Sequence, residues 1–201
     1  MTVARGEAKS GKRVRDRPPE RNNGFAAAMT GTARDSVATV MAQWRRQRPG
    51  LALGALGLFL GLAHAYWLTA PRIERLMAEY RITRGMFDVL TTLRRAGNPY
   101  ALNPKQLAQS LLLSGAGLTG RLDQLELHKL IVRLQDPSDG RALKIRLTRK
   151  GLRLVDRILP RLIELETGFA CGLRAADVSH LTRLLDLLAR SVHSVDQPGQ
   201  R

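Results

Sequence analysis

The stretch from Asn103 to Gly151, NPKQLAQSLLLSGAGLTGRLDQLELHKLIVRLQDPSDGRALKIRLTRKG, constrains the fold most, because its hydrophobic period changes part-way along. Asn103 before Pro104 reads as an N-cap with proline at the first helical position, where a missing N–H costs nothing. Leu107 and Leu111 then face inward from a short helix. After a turn at Leu112, Leu113 and Ser114, a second helix is expected, capped by Ser114, with Leu118, Leu122 and Leu125 at i, i+4 and i+7. Beyond it the period shortens. Leu130 to Leu134 is strand-like, with a parity left open by the consecutive Leu130, Ile131 and Val132. Asp136-Pro137-Ser138-Asp139-Gly140 is turn chemistry. Ala142 to Leu147 then alternates, with Leu143, Ile145 and Leu147 on one face and Lys144 and Arg146 on the other. Two short helices followed by such a hairpin present a helix and a loop to DNA.

The polar face of the second helix fits that use. From Ser114 it carries Gly115, Ala116, Thr119, Gly120 and Asp123, with Arg121 beside them. Small residues let the backbone approach a duplex, and Thr119 and Arg121 can bond to phosphates or base edges. Lys144 on the hairpin and Arg141 at its loop are placed to follow a phosphate backbone. The plainer reading is a solvated hairpin, since exposed strands often carry cations against edge pairing.

Charge agrees with a polyanionic partner. The chain of 201 residues has a formal net charge of +16 and a pI near 11.4. Residues 1–50 hold 11 Lys/Arg against 4 Asp/Glu, and the remainder 22 against 13, so a basic tail does not account for the excess. Cys171 is the only cysteine, which leaves no internal disulfide and, with no secretory signal in the first 50 residues, leads us to expect the cytoplasm. His64, His128, His180 and His193 lack metal-ligand spacing, Cys171 has no recognisable base partner, and GAGLTG from Gly115 lacks the Lys-Ser/Thr of a phosphate loop. No enzyme, catalytic residue, metal or cofactor is expected.

The flanks are expected to be helical. Residues 1–34 are too polar to offset their ordering entropy and read as a disordered basic tail, either tracking phosphates or merely solubilising. Asp35 or Ser36 caps a helix to Gln47, with Val37, Val40, Met41 and Trp44 on one stripe. Leu51 to Tyr80 reads as helical with a disturbance at Pro71, and Gly54, Gly57 and Gly61 make room for a close neighbour. Thr83 caps a helix to Arg95, and Tyr100 to Leu102 reads as a short strand. Thr148 caps a long helix containing Pro160, and a final helix, roughly Ala176 to His193, points Leu181, Leu184, Leu185 and Leu188 inward.

With those residues in that order, the chain resembles the MarR family of bacterial transcriptional regulators over about Asp35 to Ser191. The resemblance is carried by LTGRLDQLE (Leu118 to Glu126), DPSDGR (Asp136 to Arg141) and LTRKG (Leu147 to Gly151), and also by QWRRQRPG (Gln43 to Gly50) and FDVLTTLRRAGNPYALNPKQLA (Phe87 to Ala108). It implies a mainly α fold with a small β-wing, in which a winged helix-turn-helix lobe is joined to a helical dimerisation region. Residues 35–82 and 152–193 would dimerise, 83–151 would read DNA, and 194–201 would be a flexible tail. The implied function is a ligand-responsive repressor that binds a palindromic operator as a homodimer, with half-sites about 10–10.5 bp apart. Its partner is double-stranded DNA. Arg141 would reach the minor groove, held by Asp139. A small aromatic or phenolic acid would be taken up between the dimer helices and the lobe, with His64, Trp67 and Arg94 as candidate contacts.

The chain departs from the family pattern in several places. Arg81 and Lys129 stand where glycine usually closes the first long helix and the recognition helix. Gly140 replaces a second wing arginine, and Pro71 falls in a helix that is normally continuous. Leu51 to Ala70, 20 residues without a formal charge, leaves a membrane-anchored regulator as an alternative. A nonspecific basic architectural DNA-binding protein is another.

Overall fold

The computed structural model describes residues 36–111, 117–136 and 139–195. Along them run α1 (Val37–Gln47), α2 (Gly54–Glu79), α3 (Arg84–Arg95), β1 (Ala101–Leu102), α4 (Pro104–Ser110), α5 (Leu118–Leu127), β2 (Ile131–Asp136), β3 (Asp139–Leu147), α6 (Arg149–Phe169) and α7 (Ala175–Val195). The chain divides into two compact units at Gly61 and Leu62. In the first, Ser36 caps α1 by accepting from the Thr39 N–H at 3.2 Å, and Met41 is buried with its side chain beside Gly57. Gly57 therefore has the close neighbour its size allows, whereas Gly54 and Gly61 face open space. Trp44, expected on the same stripe as Met41, is exposed.

Helix α2 corrects one boundary: it starts at Gly54 rather than Leu51, and it is helical through Pro71 as expected. Proline removes one main-chain donor from a helix, and the Arg72 guanidinium donates to the Leu68 carbonyl in that same turn. No helix among the described residues is long and apolar enough to cross a membrane.

The core of the second unit is closed by α2's last turns, α3, α4, α5, the sheet and the first half of α6. Val89, Leu90, Leu93, Leu107, Leu125, Ile131, Ile145, Val155 and Ile158 are all fully buried. The three strands are antiparallel in the order β1-β3-β2, with Leu102 opposite Ile145 and Ile131 opposite Leu147. The alternation read in β3 holds for Ile145 and Leu147, but Leu143 is exposed, because the hairpin extends past the helices that cover its base. Gly151 fixes the entry of α6: a Cβ there would collide with the Leu130 carbonyl, so only glycine lets the helix start against β2.

Two helix ends share one geometry. After α2, the Ile82 N–H bonds to the Met77 carbonyl at 3.3 Å and the Arg81 N–H to Ala78 at 3.0 Å. After α5, the Leu130 N–H bonds to Leu125 at 2.9 Å and the Lys129 N–H to Glu126 at 2.8 Å. This is the Schellman pattern, which turns on one left-handed residue. Arg81 has φ 57° and Lys129 φ 58°. A residue with a Cβ is strained by about 1 kcal/mol in that conformation, as expected from the absence of glycine at both corners.

The last helix is the largest surprise. Helix α7 forms, yet Leu181, Leu184 and Leu185 are exposed and Leu188 is only partly buried, so the face expected inward is uncovered within one chain.

Candidate nucleic-acid interface

Helix α4 begins with a full capping box. The Asn103 side chain accepts from the Gln106 N–H at 2.8 Å, and Gln106 accepts from the Asn103 N–H at 3.1 Å. The described part of the next helix, α5, starts at Leu118, with Gly117 as N-cap in the left-handed region (φ 74°). That is later than the expected cap at Ser114; Ser114, Gly115 and Ala116 lie outside the described residues. Leu122 and Leu125 anchor α5 in the core, with Leu118 partly buried. This orientation leaves Thr119, Gly120 and Asp123 exposed on the opposite side, as the sequence pattern requires.

Arg121, expected beside that face, packs against α3. It is partly buried, and its side chain lies across Gly85 of α3: a Cβ at Gly85 would stand 2.7 Å from Nε. The missing side chain at Gly85 is thus the slot that holds Arg121, and it ties α5 to α3.

The hairpin side is organised by Arg133, which the sequence reading did not single out. From β2 its guanidinium donates to Asp123 at 2.6 Å and to Glu126 at 2.8 Å, both on α5. The Asp123 hydrogen bond chiefly, together with the field of Glu126, pushes Arg133 above its ordinary pKa. One cation therefore bridges two carboxylates on the helix that faces outward, offsetting part of their charge, and couples that helix to the hairpin. The open parity of Leu130, Ile131 and Val132 hid it; the signal was a lone arginine in an apolar strand, seven residues after Glu126.

On β3, Lys144 is partly buried opposite Leu134, and Arg146 is exposed opposite Val132. The backbone of Asp139 and Arg141 belongs to β3, while their side chains lie outside the described residues. Farther off, His64 and Trp67 stand one turn apart on α2, the former partly buried and the latter exposed. Arg94 is held at Asp156 of α6 at 3.1 Å and lies 5.2 Å from the Tyr100 ring centroid. Two open depressions, of about 490 and 330 Å³, are lined by other residues than these three.

An outward polar helix, a basic two-stranded wing and a closed core of helices packed on a small sheet have direct counterparts among known proteins. The MarR family model matches residues 82–143. The transcriptional regulator PecS of Dickeya dadantii is 31% identical over 149 residues, covering 74% of this chain and 90% of that protein. The chain belongs to the MarR family. Solved MarR-family structures share its fold. A mutant of Escherichia coli MarR complexed with operator DNA superposes with a TM-score of 0.57 at 23% identity, over 72% of this chain and 96% of that one. Bordetella bronchiseptica BpsR, whose DNA binding is regulated by 6-hydroxynicotinic acid, gives 0.58 at 23% identity, over 66% and 98%. As a member of the MarR family the chain is a winged-helix transcriptional regulator.

Proposed function

We propose that this regulator is a cytoplasmic homodimer that represses transcription by binding a palindromic operator, and that a small aromatic or phenolic acid releases it. No catalysis forms part of this reading. The observation that carries it is the outward face of α5, the recognition helix in this reading, small and polar at Thr119 and Gly120, with Asp123 ion-paired to Arg133 of the wing strand β2. Unneutralised carboxylates facing phosphates would oppose docking. Thr119 and Gly120 then meet the major groove with Ser114, Gly115, Ala116, Arg121 and Asp123, while Arg141, Asp139 and Lys144 serve the wing. The lobe of residues 83–151 reads DNA, and residues 35–82 and 152–193 form the dimer. The bare leucines of α7 support that division, since a second copy is the simplest cover for them. His64 and Trp67 are the effector contacts in this reading; Arg94 joins them only by leaving Asp156.

Selection of bound duplexes from genomic DNA with the purified full-length protein tests this directly. A recurrent palindrome with half-sites about one helical turn apart is the expected result. Salt-sensitive binding without a motif would instead indicate a nonspecific architectural protein.

A further inference from the structure

The ends of α2 and α5 converge on the depression of about 330 Å³, and its lining is unusual in charge. Arg81, His128, Lys150, Arg153 and Arg157 contribute to it, and no carboxylate among the described residues does. Tyr80, Ile82, Leu130 and Leu154 supply the apolar part. Lys150 donates to the His128 carbonyl at 2.9 Å, which matches a cation to a helix C-terminus. That role does not extend to the others. Among the described residues Arg81, Arg153 and Arg157 have no ion pair, whereas Arg161, one turn along α6, is paired with Glu79 at 2.6 Å. Several like charges in one concave surface repel each other until an anion enters.

The backbone gives a second, independent observation. Arg81 lines the depression and Lys129 adjoins it between His128 and Leu130, and both are held in the left-handed conformation that favours glycine. Cationic side chains are thus kept at the two corners where folding alone would be better served by none. Strain retained at a concave, charged surface points to binding.

We infer that this depression binds a small polyanion bearing phosphate or several carboxylates, one per protomer. Such a ligand would bridge the α2–α3 corner, the C-terminus of the recognition helix and the start of α6, and so would bias the helix that meets DNA. Only this last consequence rests on the proposed operator binding; the site itself does not. It is separate from the expected aromatic effector at His64 and Trp67.

The test is calorimetric titration of the full-length protein, without DNA, with inorganic pyrophosphate and with citrate at constant ionic strength. Saturable binding at one site per protomer is expected, weakened at least tenfold in Arg153→Ala/Arg157→Ala and unchanged in the control Arg183→Ala. The variants Arg81→Gly and Lys129→Gly keep the fold secure, because glycine suits both corners. They are expected to melt about 2–4 °C higher while binding the anion more weakly. Phosphate and carboxylate ligands are distinguished by which titrant binds more tightly. No saturable binding of either titrant, or binding that ignores all four cations, overturns the inference. It is also overturned if the double variant changes only the salt slope of DNA binding, for then the cations contact the duplex backbone.

Discussion

Helices α5 and α7 carry the same leucine pattern and use it in opposite ways. In α5, Leu118, Leu122 and Leu125 fall at i, i+4 and i+7, and the last two are buried under α3 and the sheet. In α7, Leu181, Leu184, Leu185 and Leu188 repeat the spacing, and the first three stand in solvent within one chain. Periodicity therefore specifies that a face is apolar without specifying which molecule covers it. The winged lobe buries its apolar face within the chain, whereas the terminal helix leaves its own uncovered.

The sharpest way to break this contrast is to charge each face in turn. In Leu184→Glu/Leu188→Glu, two carboxylates enter the proposed dimer seam, and the protein is expected to run as a monomer by light scattering with its far-UV spectrum retained. Loss of the second lobe removes avidity, so operator affinity is expected to fall about 10²–10⁴-fold. A dimer that survives both charges would mean that other helices make the interface. The matching change in the lobe is Leu125→Ala. It leaves a cavity in a site with 0% exposure and should cost about 2–5 kcal/mol in denaturant unfolding. A cost near zero would mean that the lobe core is not closed as described.

Arg133 comes next in size. Arg133→Ala leaves Asp123 and Glu126 uncompensated on the recognition helix and removes its link to the wing. Operator binding should weaken by about 1–3 kcal/mol, and Arg133→Lys should rescue it incompletely, because an ammonium cannot serve both carboxylates with a planar fork. Because these pairs are partly exposed, the effect on global stability should stay within about 1 kcal/mol. Wild-type affinity in Arg133→Ala would refute the neutralising role.

Much of the lobe was legible in the residues. Asn103-Pro104 marked a helix start to the residue, Thr83 and Thr148 marked two more, and the alternation of Ile145 with Arg146 fixed which face of β3 is buried. The misses have physical causes. That Arg121 packs against α3 was not legible, because Gly85, distant in sequence, supplies its slot only in three dimensions. The lone arginine of β2 was visible in the sequence, but its pairing with two carboxylates of α5 exists only once strand and helix meet.

The smallest effect tests the corners. Lys129 holds φ 58° after α5, and Thr148 and Lys150 bind the neighbouring carbonyls of Lys129 and His128 at 2.8 and 2.9 Å, so the turn is held from outside. Lys129→Gly removes the Cβ strain and should stabilise by up to about 1 kcal/mol, part of which is offset by the freer unfolded chain. Lys129→Ala loses the charge and keeps the strain, so it should show no such gain. Equal melting temperatures for the two variants would mean that charge rather than backbone governs this corner. A gain confined to glycine would place the strain at the hinge between the recognition helix and the wing, where α5 ends and the coupling through Arg133 begins.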